Sequence, residues 1–381
     1  MPATEPEQNV LVLQGGGALG AYQAGAYMAL ADHQCEIDWV AGISIGAING
    51  AIIAGNPPEA RADKLHAFWE EVTTDAIQLP WLEASVLRPF ANELAATQAM
   101  FEGVSGFFTP RLPSLFSTDF WKGPVSFYDT SPLRGTLLDL VDFDYLNDKG
   151  PRLSVGAVNV ATGNFAYFDS ASRTIAPEHI MASGALPPGF PPIEIDGEFY
   201  WDGGLVSNTP LQFVLEEPGE CPLLIFQIDL FSARGHVPET MLDVQQREKD
   251  IRYSSRTRLT TDRYRQLHDM AGRAARLRAK LPPELQDDPD IKTLCEAGPS
   301  RPVTLALLIH RPSEFASASK DYEFSRLSMT ERWQEGHDDA VRTLASPVWA
   351  ERKDVAGGIH ILDLGSAEDV GGPRRRKVSA L

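Results

Sequence analysis

Residues 38–55, DWVAGISIGAINGAIIAG, run from an apolar strand through a glycine-flanked serine into a helix of small residues. The strand comes before the turn and the helix after it, and that order is the first half of an α/β pattern. Upstream, residues 9–14 read as a second apolar strand, followed by the loop QGGGALGAYQAG (residues 14–25) and an Ala-rich helix to about Ala31. Strand, helix, strand, helix is a βαβ unit, which requires a parallel sheet with a right-handed crossover. Asn56-Pro57-Pro58 stops the second helix, and a third, amphipathic helix carries Leu65, Phe68, Trp69 and Val72 on one stripe.

The turn in the quoted stretch is Gly42-Ile43-Ser44-Ile45-Gly46. A G-x-S-x-G turn between a strand and a helix is the nucleophile elbow: close packing on both sides requires Gly42 and Gly46, and the serine projects above the sheet. Ser44 then sits at a helix N-terminus, where free N–H groups and the helix dipole favour negative charge. The bland alternative is a small-residue turn of a kind common in α/β proteins. The upstream loop contains Gly15-x-Gly17-x-x-Gly20, which also fits a dinucleotide fingerprint. A Rossmann site would need an acidic residue at the carboxyl end of the second strand, but Glu36 and Asp38 precede that strand. No lysine follows the glycines, so the phosphate-loop pattern fails as well. Both loops lie at the carboxyl ends of neighbouring strands. There the backbone N–H groups of Gly15, Gly16, Gly17 and Ala18 are candidate oxyanion donors for a carbonyl attacked by Ser44.

No histidine offers itself as the base. His33 and His66 read as surface positions, His179 is a helix residue beside Glu178, and His236, His268, His337 and His360 lie in charged or loop segments. His310 alone ends a strand, VTLALLIHR. The other candidate is Asp202 in Trp201-Asp202-Gly203-Gly204, where two glycines leave its carboxylate unhindered. An ordinary Asx turn accounts for Asp-Gly equally well, and on the residues alone the two readings stand level. For a carboxylate to serve as base its pKa must rise from about 3.9, and burial around Phe199 and Trp201 is the expected cause. Asp196, Asp229 and Asp243 lack metal-ligand spacing and read as turn or surface residues.

Together the glycine loop, GISIG and YWDGGLVSNTP resemble the patatin-like phospholipase family in motif order and spacing over about residues 8–230. The resemblance implies a three-layer αβα fold with a mostly parallel central sheet. It also implies Ser44 as nucleophile, Asp202 as proton acceptor, the loop from Gly15 to Gly20 as oxyanion hole, and hydrolysis of lipid acyl esters without histidine, metal or cofactor. Residues 231–345, including EFSRLSMTERWQEGHDDA, resemble the C-terminal helical extension of a bacterial subset. Many relatives carry Arg or Lys where this chain has Leu19, so a neutral ester, a small acyl ester or a thioester is also a candidate substrate. An acyltransferase or thioesterase on the same fold is the main rival, and a dinucleotide-binding protein is a more distant one.

The remaining features set boundaries. The 381 residues carry 34 basic and 52 acidic side chains, a formal net charge of −18, which disfavours nucleic acid and anionic surfaces as long-range partners. Contact with a membrane surface is therefore expected to be transient. The N-terminus lacks a basic and apolar leader, no apolar run reaches the length of a membrane span, and the three cysteines are widely separated; the expectation is a cytoplasmic protein without disulfides. Residues 80–130, rich in aromatics (Trp81, Phe90, Phe101, Phe107, Phe108, Phe116, Phe120, Trp121, Phe127), read as core or as a lid over an acyl pocket. A strand is expected at 303–311 within the extension, and a poorly ordered tail over 346–381, where the one basic run, PRRRK, reads as solvated.

Overall fold

The structure, a computed structural model, describes residues 7–74, 88–111, 125–219, 221–296, 301–311, 319–352 and 358–363. The opening unit forms as the pattern requires. Strand β1 (Gln8–Leu13) leads through a 3-10 turn at Gly17–Gly20 into α1 (Ala21–Asp32), and β2 (Trp39–Gly42) leads into α2 (Ile45–Ala54) and α3 (Pro58–Glu71). Leu65, Phe68, Trp69 and Val72 are all buried, as the stripe demands. Beyond α4 (Arg88–Glu102) a short ribbon pairs β3 (Thr109–Pro110) with β4 (Tyr128–Asp129), and α5 (Ser131–Leu140) and α6 (Phe143–Asp148) follow. Next come β5 (Arg152–Asn159), β6 (Phe165–Asp169), α7 (Pro177–Ser183), β7 (Ile193–Ile195), β8 (Glu198–Asp202), α8 (Leu211–Glu216) and β9 (Leu223–Asp229).

The main sheet has nine strands in the order β11-β10-β9-β1-β2-β5-β8-β7, with β6 on the outer edge of β5. Strands β10 (Val303–Ile309) and β11 (Ile359–Asp363) extend it beyond β9. Pairing is parallel from β11 through β5, and β6, β7 and β8 pair antiparallel. Alternation along β1 serves both faces. Leu11 and Leu13 pack with α1 and α2, while Val10 and Val12 pack with Leu211, Val214 and Tyr264 on the opposite side. Helices therefore cover both faces, which is the expected αβα arrangement.

The C-terminal region is woven into this core rather than appended to it. Helices α9 (Met241–Tyr253), α10 (Thr257–Arg278), α11 (Pro283–Gln286) and α12 (Pro289–Glu296) precede β10, and α13 (Arg326–Leu344) packs directly on α1. At their crossing Gly25 and Gly336 face the partner backbone. A Cβ on Gly336 would lie 2.0 Å from the Tyr22 carbonyl oxygen, and one on Gly25 would collide with the Trp333 carbonyl. The poorly ordered tail expected from residue 346 needs correction. The chain instead adds α14 (Pro347–Ala350), then β11, whose apolar residues Ile359 and Leu362 are buried beside β10. Its remaining span, residues 364–381, lies outside the described residues, as do Trp81, Phe116, Phe120 and Trp121 of the aromatic stretch. No helix among the described residues is long and apolar enough to cross a membrane.

Candidate active site

Strand pairing brings the serine and the aspartate together. On one edge of β5, β2 ends with Gly42 opposite Val155. Further along the same edge β8 enters from the opposite direction, with Asp202 opposite Ala157. The elbow therefore leaves β2 just where the last residue of β8 arrives, although 158 positions of sequence separate Ser44 from Asp202.

Ser44 adopts φ 55°, ψ −122°, a left-handed conformation rarely tolerated by a residue with a side chain. The strain is held on several sides. Its N–H donates to Ser183 Oγ at 3.0 Å, and the Ser183 hydroxyl donates to the Gly156 carbonyl at 2.7 Å. A Cβ on Gly46 would sit 2.4 Å from the Leu13 carbonyl oxygen, so only glycine lets the elbow pack against β1. Ser44 is also the N-cap of α2, with no side-chain cap bond, so its hydroxyl is not consumed by the helix.

The Asp202 carboxyl group lines the same pocket as that hydroxyl, and the Ser44 side chain favours its ionised form. Asp202 is buried, and Oδ1 accepts from the Gly204 N–H at 2.7 Å. The Asx turn and the place beside Ser44 in the pocket are thus one arrangement. Burial pushes the Asp202 pKa up to about 7, against the lowering effect of the Ser44 side chain and the Gly204 N–H. Phe199 is exposed and is not the cover that the sequence suggested.

The glycine loop is more selective than its sequence suggested. Gly15 N–H donates to the Asn208 carbonyl at 3.1 Å and Ala18 N–H to the Asp321 carbonyl at 2.9 Å. Those two donors are spent, which corrects the expectation for Gly15 and Ala18. Among the described residues the N–H groups of Gly16 and Gly17 have no partner, and both glycines line the pocket beside Ser44. Leu19 is fully buried, and the cation at the loop is Arg332 of α13, whose Nη1 donates to the Ala18 carbonyl at 3.2 Å. Gly20 packs against Ile45 and Trp69, Gly203 against the Gly156 carbonyl.

The pocket above Ser44 has an aromatic wall of Phe107, Phe108, Phe190 and Phe324, whose rings meet one another at centroid distances of 5.2–6.1 Å. Of the aromatic stretch, Phe107 and Phe108 belong to this wall, whereas Phe101 and Phe127 are exposed. The charged side chains lining it are Asp202 and Asp321, and no described lining residue is a histidine. His310 is buried elsewhere, edge-on to Tyr22 and 3.4 Å from Glu335, with its pKa lowered by burial. Asp229, read as a turn or surface residue, is buried and accepts from Gln227 and Ser255; burial raises it to about 6. Asp196 is paired with Arg173 at the surface, and Asp243 caps α9.

Sequence reasoning missed several residues. Asn208 lies inside the quoted YWDGGLVSNTP, and its Nδ2 donates to the Gly15 carbonyl at 2.9 Å and the Tyr253 carbonyl at 3.0 Å. Its proximity to Asp202 was the available signal. Ser183, Phe190, Phe231, Tyr253, Asp321, Tyr322 and Arg332 carry no such local mark.

Comparison with known proteins agrees with the fold. A family model described as patatin-like phospholipase matches residues 11–215, and one described as patatin phospholipase matches residues 251–356. No curated protein matches the chain. Among solved structures, human GIVD cytosolic phospholipase A2 is 13% identical with a TM-score of 0.40, covering 91% of this chain and 60% of that one. VipD from Legionella pneumophila is 14% identical with a TM-score of 0.35, covering 89% of this chain and 68% of that one. ExoU in its complex with SpcU from Pseudomonas aeruginosa is 14% identical with a TM-score of 0.30, covering 88% of this chain and 52% of that one.

Proposed function

The chain belongs to the patatin-like phospholipase family, and on that premise we propose that it is a serine acyl-ester hydrolase working through Ser44 and Asp202. The observation that carries this reading is a buried carboxyl group, its pKa pushed up to about 7, lining the same pocket as Ser44 and the glycine loop. A carboxylate of ordinary pKa is a poor base toward serine, and one tuned near neutrality is matched to the task. Asp202 takes the Ser44 proton as Oγ bonds to the ester carbonyl carbon, and the oxygen that gains charge is received by the N–H groups of Gly16 and Gly17. The protonated Asp202 returns its proton to the departing alkoxide, leaving an acyl-serine. Water then gives its proton to the same carboxylate as it attacks the acyl carbon, the bond to Oγ breaks to release the acid, and Asp202 returns the proton to Ser44 Oγ.

The aromatic wall suits an acyl chain. The two lining carboxyl groups, unaccompanied by a lining base among the described residues, favour an ester or thioester whose reacting end is neutral. Transfer of the acyl group to an acceptor other than water uses the same intermediate, and comparing product acid with transferred acyl separates the two. The test is hydrolysis of p-nitrophenyl esters, acyl thioesters and phosphatidylcholine, with fluorophosphonate labelling of Ser44. Turnover and labelling that vanish together in Ser44→Ala support the reading; turnover that survives in that variant overturns it.

A further inference from the structure

The glycine loop is gripped from the far end of the chain. Ala18 N–H donates to the Asp321 carbonyl at 2.9 Å, and the Ala18 carbonyl accepts from Arg332 Nη1 at 3.2 Å. Both sides of one peptide residue, next to the two free amides, are thus bound by the segment that leads into α13. The same guanidinium holds that segment in shape. Nη1 donates to the Glu323 carbonyl at 3.0 Å, and Nη2 to the Lys320 carbonyl at 3.1 Å and Glu323 Oε2 at 2.9 Å. Arg332 and Glu323 are both buried, so the guanidinium has no water to fall back on.

Two neighbouring ion pairs fasten the segment a second time. Lys249 of α9 pairs with Asp321 at 2.5 Å, and the adjacent Asp250 pairs with Lys320 at 2.5 Å. The signs alternate on both partners, Lys-Asp on α9 against Lys-Asp on the segment, so a slip by one residue would place like charges together. Asp321, Tyr322 and Phe324 meanwhile line the pocket itself.

We propose that Arg332 is a positioning residue for the proposed reaction, fixing the Gly16 and Gly17 amides through Ala18 and making residues 320–324 part of the catalytic pocket. The inference rests on the Ser44–Asp202 reading for its kinetic consequence, but the hold on the loop stands on geometry alone. A matched control exists on the same helix. Arg326 Nη2 donates to the carbonyls of Glu70 at 2.8 Å and Thr73 at 3.1 Å, binding α13 to the end of α3 and not to the glycine loop.

The experiment compares Arg332→Met, Arg332→Lys and Arg326→Met in the full chain. It reads steady-state hydrolysis of p-nitrophenyl butyrate, hydrogen exchange of the peptide covering residues 14–20, and thermal midpoint. Arg332→Met is expected to lower kcat about ten- to a hundredfold with KM little changed, because donors displaced by a fraction of an ångström lose the oxyanion. Exchange at residues 14–20 rises in the same variant, Arg332→Lys recovers part of both, and Arg326→Met moves neither. Asp321→Asn, which weakens the pair with Lys249 and leaves Arg332 in place, shows a smaller loss of the same kind if Arg332→Met does not fold. Wild-type kcat and wild-type exchange in Arg332→Met, or equal losses in Arg326→Met, overturn the proposal. A wild-type chain without esterase activity removes the function proposed above, and the exchange readout still decides whether Arg332 holds the loop.

Discussion

The loops after β1 and β2 serve one pocket and are held by opposite means. The elbow is fixed by its own backbone and close neighbours: β1 packs against Gly46, and Ser183 caps the Ser44 N–H. Its φ of 55° is a stored strain that surrounding contacts over-determine. The glycine loop is unstrained by comparison and is tied at long range to Asn208, Asp321 and Arg332. On the proposed reading, a nucleophile on a rigid local turn stands beside donors on a remotely held loop, so the chemistry and its electrostatic support can be disturbed separately.

The largest effect falls on the elbow itself. Ser44→Ala is expected to reduce turnover of p-nitrophenyl butyrate by at least about ten-thousandfold, the scale seen when an acyl-transfer nucleophile is removed. Fluorophosphonate labelling should disappear while the circular dichroism spectrum stays native. Residual turnover above about one per cent would separate the elbow from the chemistry.

Asp202→Asn is expected next, with a loss of about a thousandfold. Wild-type kcat/KM should rise with pH and level off above about 7, following ionisation of the carboxyl group. The sign for stability is opposite. The native value, about 7, exceeds the unfolded value of about 3.9, so the native state binds the proton more tightly and its advantage is lost as pH rises from about 4 to 7. Asn carries no such penalty. At pH 8 the variant should therefore be more stable than the wild type, by on the order of 2 kcal/mol, and the gap should close near pH 4 in urea titrations. A variant less stable at pH 8 would show that the site stores no cost.

Away from the pocket, Gly336→Ala tests whether the C-terminal region is built into the fold. The added Cβ would lie 2.0 Å from the Tyr22 carbonyl, forcing α13 away from α1, at a cost of about 2–4 kcal/mol. A lowered thermal midpoint with a single transition is expected. Two transitions would mean that the region unfolds by itself.

What was legible in the sequence follows the same division. GISIG and DGG announce themselves because their geometry is imposed within five residues, and the βαβ pattern needs only the period of apolar positions. The burial that tunes Asp202 is a property of packing, and Phe199, the obvious local candidate for it, is exposed. Which loop amides stay free depends on carbonyls from Asn208 and Asp321, the second of them 303 positions from Ala18. No periodicity encodes such a bond. The strand at residues 359–363 was missed for a related reason: five residues beside a charged tail carry too little alternation to stand out, and it is pairing with β10 that makes them a strand.

The smallest effects should divide the two supports. Ser183→Ala removes the cap on the Ser44 N–H and also leaves the Gly156 carbonyl without its donor. Asn208→Ala removes the side-chain bonds to the Gly15 and Tyr253 carbonyls but leaves the backbone bond from Gly15 N–H in place. Each should lower kcat by about tenfold, the size of a displaced group that is still present. The fluorophosphonate rate is the readout that tells them apart. It depends on how well Ser44 is aimed as well as on the oxyanion donors, because the phosphonyl oxygen uses the same hole. Adding a more reactive ester should rescue Asn208→Ala, since a better leaving group places less demand on oxyanion stabilisation. It should do little for Ser183→Ala, where the nucleophile is misdirected whatever the leaving group. Equal rescue of both variants would mean that Ser183 and Asn208 act on a single loop assembly, and that the local and remote supports are not independent.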